Sequence, residues 1–182
     1  MKFLESAFKE ILTFVVLAIV IVVPIRLFIA QPFVVEGESM HPTFEGGDYL
    51  IVDELTYHFS DPRRGDVVIF RYPGDPRIFY IKRVIGLPGE GIEIDRGKVT
   101  VTREDGTTLL LSEPYIVNED ATYSQTMVLG PDQYYVMGDN RPRSSDSRIW
   151  GPLPRKDMVG RAFVRLLPVS DIGTFPGATE PQ

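Results

Sequence analysis

At 182 residues, 43% of them hydrophobic, the chain has material for one domain with a real core plus an appendage, but not for two compact domains. A net charge of −6 and a pI near 5.0 provide no basic footprint, which argues against binding nucleic acid. The absence of cysteine and the presence of only two histidines exclude disulfides, thiolate metal sites, a cysteine nucleophile and histidine-rich metal centres, and no cofactor is implied.

The first element is apolar. Ile11 to Ala30 is a twenty-residue run interrupted only by Thr13, Pro24 and Arg26, which matches the roughly 20 residues a helix needs to cross a bilayer. A cleaved secretory signal is the competing reading, because Lys2 and Lys9 precede an apolar stretch. Its cleavage site is poor: a cut after Ala30 would place bulky Phe28 at the third position before it, with Gln31-Pro32 following. A retained anchor is therefore expected. Lys2 and Lys9 lie before the span, and no Lys or Arg occurs between Arg26 and Arg63, so the positive-inside rule puts the N-terminus in the cytoplasm. The expected organisation is a short cytoplasmic segment (1–10), an anchor (11–30), an exported β-rich domain (31–169) and a flexible tail (170–182) rich in Gly, Pro and small residues.

Beyond the anchor, short runs of Val, Ile, Tyr and Phe alternate with Gly, Pro and Asp, the pattern of a mainly β, antiparallel domain. Strands are expected near Phe33 to Val35, Asp48 to Asp53, Asp66 to Tyr72, Phe79 to Ile85, Gly91 to Ile94, Lys98 to Arg103, Thr108 to Leu111, Tyr134 to Met137 and Met158 to Leu167. Pro73-Gly74-Asp75-Pro76 predicts a hairpin that sets Lys82 beside the Val67 to Tyr72 strand, and Glu104-Asp105-Gly106 predicts another.

Just after the anchor stands Gly37-Glu38-Ser39-Met40-His41-Pro42-Thr43. It is not the nucleophile elbow of α/β-hydrolases, because His41 occupies the second glycine position and no strand-to-helix pattern surrounds it. Ser6-Ala7-Phe8-Lys9 matches Ser-x-x-Lys formally, but it precedes the span and has no domain around it. If Ser39 is a nucleophile it needs a base, and the choices are His41, His58 or a lysine. His41 has no marked orienting carboxylate, whereas a Ser-Lys dyad needs only a neutral lysine.

Lys82 fits that requirement. It lies on a strand face with Tyr80 and Val84, where a lysine either snorkels its ammonium to water or loses proton affinity. Acting as a base near pH 7 requires a drop of roughly 3 pKa units, about 4 kcal/mol against the ammonium form. Arg83 has equally apolar flanks but keeps its proton, and either pairs with an acid or marks the outer face.

Taken together, these segments resemble the bacterial type I signal peptidases, membrane-bound serine proteases with a Ser-Lys dyad. The resemblance is carried by Gly37 to Thr43, Gly47-Asp48-Tyr49-Leu50-Ile51-Val52, Arg64-Gly65-Asp66-Val67-Val68, Tyr80 to Glu90, and Gly138-Asp139-Asn140-Arg141 through Ser144, Asp146-Ser147-Arg148 and Trp150-Gly151. It implies a signal-peptidase/LexA-like β domain, cleavage of signal peptides from exported preproteins, Ser39 as nucleophile and Lys82 as general base. By the same resemblance, Ser144 orients the lysine and Asp146 and Arg148 hold the site together. Phe33, Val35, Tyr80 and Ile81 match positions lining the substrate pockets. Gram-negative members often carry a serine where this chain has Gly37, so the oxyanion hole would rest on backbone N–H groups, chiefly that of Ser39. The expected partners are signal peptides and membrane lipid, in a single-pass protein of the cell membrane. The alternatives are a LexA-like self-cleaving protease and an anchored β-domain that binds peptides without cutting them.

Overall fold

The computed structural model describes residues 9–20, 30–118 and 120–179. Residues 9–20 form helix α1, whose Ile11, Phe14, Leu17 and Ile19 are exposed. The remainder of the expected anchor up to residue 29, with Pro24 and Arg26, lies outside the described residues, as do Lys2 and Ser6. Among the described residues no helix is long and apolar enough to cross a membrane.

Among the described residues, the domain that follows has twelve antiparallel strands: β1 (Ala30–Val34), β2 (Tyr49–Asp53), β3 (Val67–Tyr72), β4 (Asp75–Gly86), β5 (Gly91–Asp95), β6 (Lys98–Thr102), β7 (Thr108–Leu110), β8 (Gln125–Val128), β9 (Gln133–Met137), β10 (Leu153–Pro154), β11 (Met158–Leu167) and β12 (Gly173–Thr174). One sheet runs β1-β2-β11-β3-β4-β9-β10 with β12 on β11, and a smaller one runs β7-β6-β5-β8. Strand alternation divides the interior. On β3, Val67 and Ile69 join Met40, Phe44, Leu50 and Val52 in one cluster, while Val68 and Phe70 join Val84, Val136 and Leu153 in another across the sheet. A third cluster, of Ile85, Ile92, Ile94, Val99, Val101 and Tyr135, unites the two sheets.

The longest strand positions the site. β4 pairs with β3 from Asp75 to Arg83, but β9 joins its other side only at Arg83. Its first half therefore has an open edge and is largely exposed, whereas Lys82 to Gly86 are buried. The hairpin before it turns on Pro73-Gly74, with Tyr72 opposite Asp75. β4 then passes through Gly86, where a Cβ would stand 2.8 Å from Leu129 Cδ1 and would collide with Ile92, so the turn into β5 packs only around glycine. Arg64 and Glu90 brace that turn. Arg64 Nη2 donates to Glu90 Oε1 at 2.5 Å and Nη1 donates to the Ile85 carbonyl, while Glu90 Oε2 accepts from Leu87 N–H at 2.7 Å.

Nine strands lie near their expected positions. The structure adds β8, β10 and β12, together with the one-turn helix α2 (Ser147–Trp150). Gln125 to Val128 is too polar to mark a strand, and β10 and β12 are two-residue pairings with no periodicity to read. Within the stretch expected as a flexible tail (170–182), β12 pairs with β11 and Phe175 packs edge-on against Phe163, with ring centres 5.2 Å apart; residues 180–182 lie outside the described residues. Small residues let this segment lie close against the domain.

Replacing Glu90 with Gln leaves the buried Arg64 guanidinium without its counter-ion. Glu90→Gln should lower unfolding stability by about 3 kcal/mol, and urea denaturation with an unchanged m-value is the check.

Candidate active site

Ser39 stands on a loop that leaves the end of β1 and returns to β2. Two backbone bonds close the loop at its base, Val35 N–H to Asp48 O and Gly47 N–H to Val35 O, both 2.9 Å. Gly37 has φ +81°, a left-handed conformation that bends the chain just ahead of the serine. Immediately after it, Met40 and Phe44 are buried in the first cluster and joined by Phe44 N–H to Met40 O at 3.0 Å. The serine is thus fixed between a glycine turn and a hydrophobic anchor. Its own N–H makes no hydrogen bond among the described residues, which leaves a donor pointed at no protein acceptor.

Lys82 meets it from β4. Nζ lies 2.8 Å from Ser39 Oγ and donates to the Ile81 carbonyl at 2.8 Å. That carbonyl is open because β9 has not yet joined the strand. The ammonium group is 5.0 Å from the centre of the Tyr80 ring, and the side chain is 3% exposed. Burial pushes its pKa down from 10.5 to about 8, with the Asp146 and Asp139 carboxylates partly opposing the fall. A large fraction of the amine is therefore neutral at mildly alkaline pH, with a hydroxyl within reach.

The stretch from Gly138 to Arg148 grips the serine from behind. Asn140 N–H donates to Ser39 O at 3.0 Å and Asn140 Nδ2 to Glu38 O at 3.1 Å. A Cβ on Gly138 would overlap both Ser39 O and Ser144 Oγ, so only glycine admits this approach. Asp146 is fully buried; its Oδ2 accepts from Gly138 N–H at 3.0 Å, and its carboxylate is forked by Arg148 Nε at 2.8 Å and Nη2 at 2.9 Å. Arg148 Nη2 also reaches Arg141 O at 2.5 Å, binding the two ends of the loop.

Beneath this loop lies an ion pair with both side chains fully buried. Arg83 donates from Nε to Asp139 Oδ1 at 2.8 Å and from Nη2 to Asp139 Oδ2 at 2.6 Å. Thr43 Oγ1 donates to the same carboxylate at 2.5 Å, tying in the far end of the Ser39 loop.

The Ser144 hydroxyl is buried next to Gly138 but has no hydrogen-bond partner among the described residues, and the Ile81 carbonyl rather than Ser144 receives the lysine's donor. His41 turns outward to Glu45, 2.7 Å away at the surface. Phe33, Val35, Tyr80 and Ile81 all line a groove of about 590 Å³ that is also lined by Ser39 and Lys82. Its walls are β1 with the residues after it and the open half of β4, bridged at one end by the Phe33 and Phe79 rings, 5.4 Å apart.

The sequence alone assigned no role to Thr43, Gly138, Asp139 or Asn140, although all four lie in quoted motifs. The partners of Asp139 and Asn140 lie from 56 to 102 positions away, and no local pattern marks them.

The lowered lysine pKa has a sign that can be tested. Because the folded protein holds this proton more weakly than the unfolded chain, Lys82 destabilises the fold by about 3 kcal/mol below pH 8. The penalty fades as pH rises from about 8 to 10.5, where both states become neutral. Relative to the parent, Lys82→Met should be more stable at pH 7 by about 3 kcal/mol more than at pH 10.5, read from paired urea titrations.

A family model described as signal peptidase, peptidase S26, matches residues 8–167. Over 178 residues the chain is 39% identical to a probable signal peptidase I-1 of Synechocystis sp., covering 92% of this chain and 88% of that protein. It is 37% identical over 177 residues to a signal peptidase I of Leptolyngbya laminosa, covering 93% and 84%. A solved signal peptidase I from Enterococcus faecalis V583 superposes with a TM-score of 0.49 at 30% identity, covering 56% of this chain and 97% of that one. The chain belongs to the signal peptidase family, peptidase S26.

Proposed function

We propose that the protein is a membrane-anchored serine endopeptidase that removes N-terminal signal peptides from exported preproteins, with Ser39 as nucleophile and Lys82 as general base. The observation that carries this reading is the 2.8 Å approach of Ser39 Oγ to a lysine whose amine is driven toward neutrality by burial. In the acylation step the neutral Nζ accepts the Ser39 hydroxyl proton as Oγ attacks the scissile carbonyl. The Ser39 N–H, free of protein acceptors among the described residues, stabilises the developing oxyanion. Lys82 then returns the proton to the departing amine. In the second half it takes a proton from the water that attacks the ester, then passes that proton to Ser39 Oγ as the acyl–oxygen bond breaks, which restores Ser39 and neutral Lys82. Asp146 and Arg148 hold the Gly138 loop against Ser39, and Ser144, with its unpaired hydroxyl beside that loop, is the supporting group available to a lysine in motion.

Substrate binding follows from two open strand edges facing across the groove, β1 at the end of its sheet and β4 before Arg83. An extended peptide adds backbone hydrogen bonds to such edges. Its first and third residues before the cut point the same way, toward Phe33, Val35, Tyr80 and Ile81, and small side chains suit the shallow space there.

Residues 11–30 serve as the anchor, with residues 1–10 cytoplasmic and residues 31–169 across the membrane. The exposed apolar side chains of α1 support contact with lipid. A non-cleaving peptide binder is not favoured, because recognition alone gives no reason to bury a lysine beside a serine at the energetic penalty described above. A LexA-like regulator would call for a DNA-binding partner domain, for which the charge distribution offers no basis.

The test uses the full-length chain in detergent micelles with a preprotein substrate. Ser39→Ala and Lys82→Met should each reduce cleavage by about 10⁴-fold or more, and Lys82→Arg should not restore it, since guanidinium keeps its proton. Retained cleavage in any of the three would refute the dyad. For the parent enzyme, kcat/KM should rise through a midpoint near 8 and then level off as Lys82 loses its proton; a flat profile from pH 6 to 10 would exclude Lys82 as the base.

A further inference from the structure

The segment after β11 lies beyond the family-matched residues 8–167, yet it docks on the machinery behind Ser39. Gly177 supplies the central contact: its carbonyl accepts from Arg83 Nη1, the same nitrogen that donates to Gly65 O at 3.1 Å. Arg83 is thereby enclosed. Asp139 forks it from one side, the Tyr115 ring lies 3.8 Å from the guanidinium carbon, and the Gly65 and Gly177 carbonyls take the remaining nitrogen. The backbone of Gly177 also presses on the nucleophile loop. It has φ +75°, and a Cβ there would collide with Thr43 Cγ2 and come within 3.3 Å of Phe44. Thr179 leaves no room for a side chain on Gly65, which has φ +90°. At the start of the segment, Asp171 lies 3.6 Å from Arg165, whose Nη2 donates to Thr43 O at 2.5 Å. Two glycines in left-handed conformations, Gly177 of the segment and Gly65 of the quoted motif, let the segment and the domain approach this closely and make a fitted surface.

We propose that residues 173–179 form a positioning element of the catalytic site: they close over Arg83 and the Ser39 loop and hold the Ser39 to Lys82 geometry. The proposal rests on the Ser39-Lys82 reading given above. Its physical logic is the exclusion of water. The Arg83-Asp139 pair spans from β4, one residue past Lys82, to the loop that grips Ser39, and Thr43 hydrogen-bonds the same carboxylate. If the segment lifts away, water reaches Arg83 and Asp139, the pair weakens, and both supports of the dyad loosen together. The groove on the other side of Ser39 is untouched, since no residue of the segment lines it. The effect should therefore fall on the chemical step and spare peptide binding.

A second consequence separates positioning from simple structural support. Lys82 is faced by the Asp139 carboxylate from the Gly138 loop and the Asp146 carboxylate from the cap of α2; Arg83 on β4 and Arg148 on α2 pair with these acids, and the Tyr80 ring lies beside the amine. Tyr115 is the other titratable group at Arg83. Desolvation is the largest influence on the lysine, so admitting water makes it more basic and moves the rate profile to higher pH.

The experiment compares the full-length chain with Gly177→Val, which cannot dock, and with a chain ending at Phe175, with Ser39→Ala in the same preprotein assay. For both variants kcat at pH 7.5 should fall about tenfold with KM within twofold, and the midpoint of the kcat/KM profile should rise by about half a unit or more. Far-UV circular dichroism should match the parent. Parent-like kcat and midpoint in both variants would overturn the proposal, as would loss of folded structure in both, which would make the segment a general stabiliser. An active Ser39→Ala would instead overturn the dyad reading itself.

Discussion

The buried Arg83-Asp139 pair is the constraint from which the rest of the site is hung. An arginine with no exposure is tolerable only if every donor finds an acceptor, and here the carboxylate forks Nε and Nη2 while two backbone carbonyls receive Nη1. Satisfying those donors dictates where four otherwise separate pieces of chain must lie: the loop holding Ser39, through Thr43, the loop that begins at Gly138, the turn at Gly65, and the segment at Gly177. Such a pair contributes modestly to stability when intact, since desolvation offsets much of the attraction, but losing one partner leaves a buried charge. Its influence on the site is therefore chiefly geometric. A carboxylate and a guanidinium in forked contact define distance and orientation together, which apolar packing alone does less sharply.

The state of Lys82 follows from the same architecture. β4 is paired by β3 alone up to Lys82, and β9 joins it at Arg83 as the β3 pairing ends, so the lysine sits where an open edge turns into a closed interior. Had β9 run two residues further, the Ile81 carbonyl would be engaged in the ladder and the edge of β4 beside the groove would be covered. Had it stopped sooner, water would reach the amine. The two acids nearby are each bound to an arginine, so the desolvation of the ammonium is only partly compensated.

Glycine is required at Gly138 for a different reason from that at Gly37. Gly37 bends the backbone into a region other residues avoid, whereas Gly138 lets two chains approach until a carbonyl and a hydroxyl occupy the space of a missing side chain. Both serve Ser39, one by aiming the loop and the other by letting the supporting loop approach. Ser144 occupies part of that space, and its hydroxyl is buried without a partner among the described residues.

Much of the fold was legible because strands announce themselves locally. Alternating apolar residues between glycine and proline punctuation located nine of the strands, and Pro73-Gly74 located the hairpin that carries Lys82. The absence of cysteine, the two histidines and the apolar flanks of Lys82 likewise narrowed the candidates for a base before any fold was known. Arg83 shows where that reading stops. Its flanks are as apolar as those of Lys82, yet whether it paired with an acid or faced outward depended on Asp139, fifty-six positions away, being brought beneath it by β9. The same holds for the Ser39 to Lys82 approach across forty-three positions, for the grip of Asn140 on the Ser39 backbone, and for the contacts of Gly177 with the buried Arg83 guanidinium and of Thr179 with Gly65. Sequence determined which groups have the right chemistry, because proton affinity, charge and side-chain alternation are properties of residues and their neighbours. Tertiary structure decided which of them meet and which are dry, because contact and desolvation exist only once distant strands have been brought together.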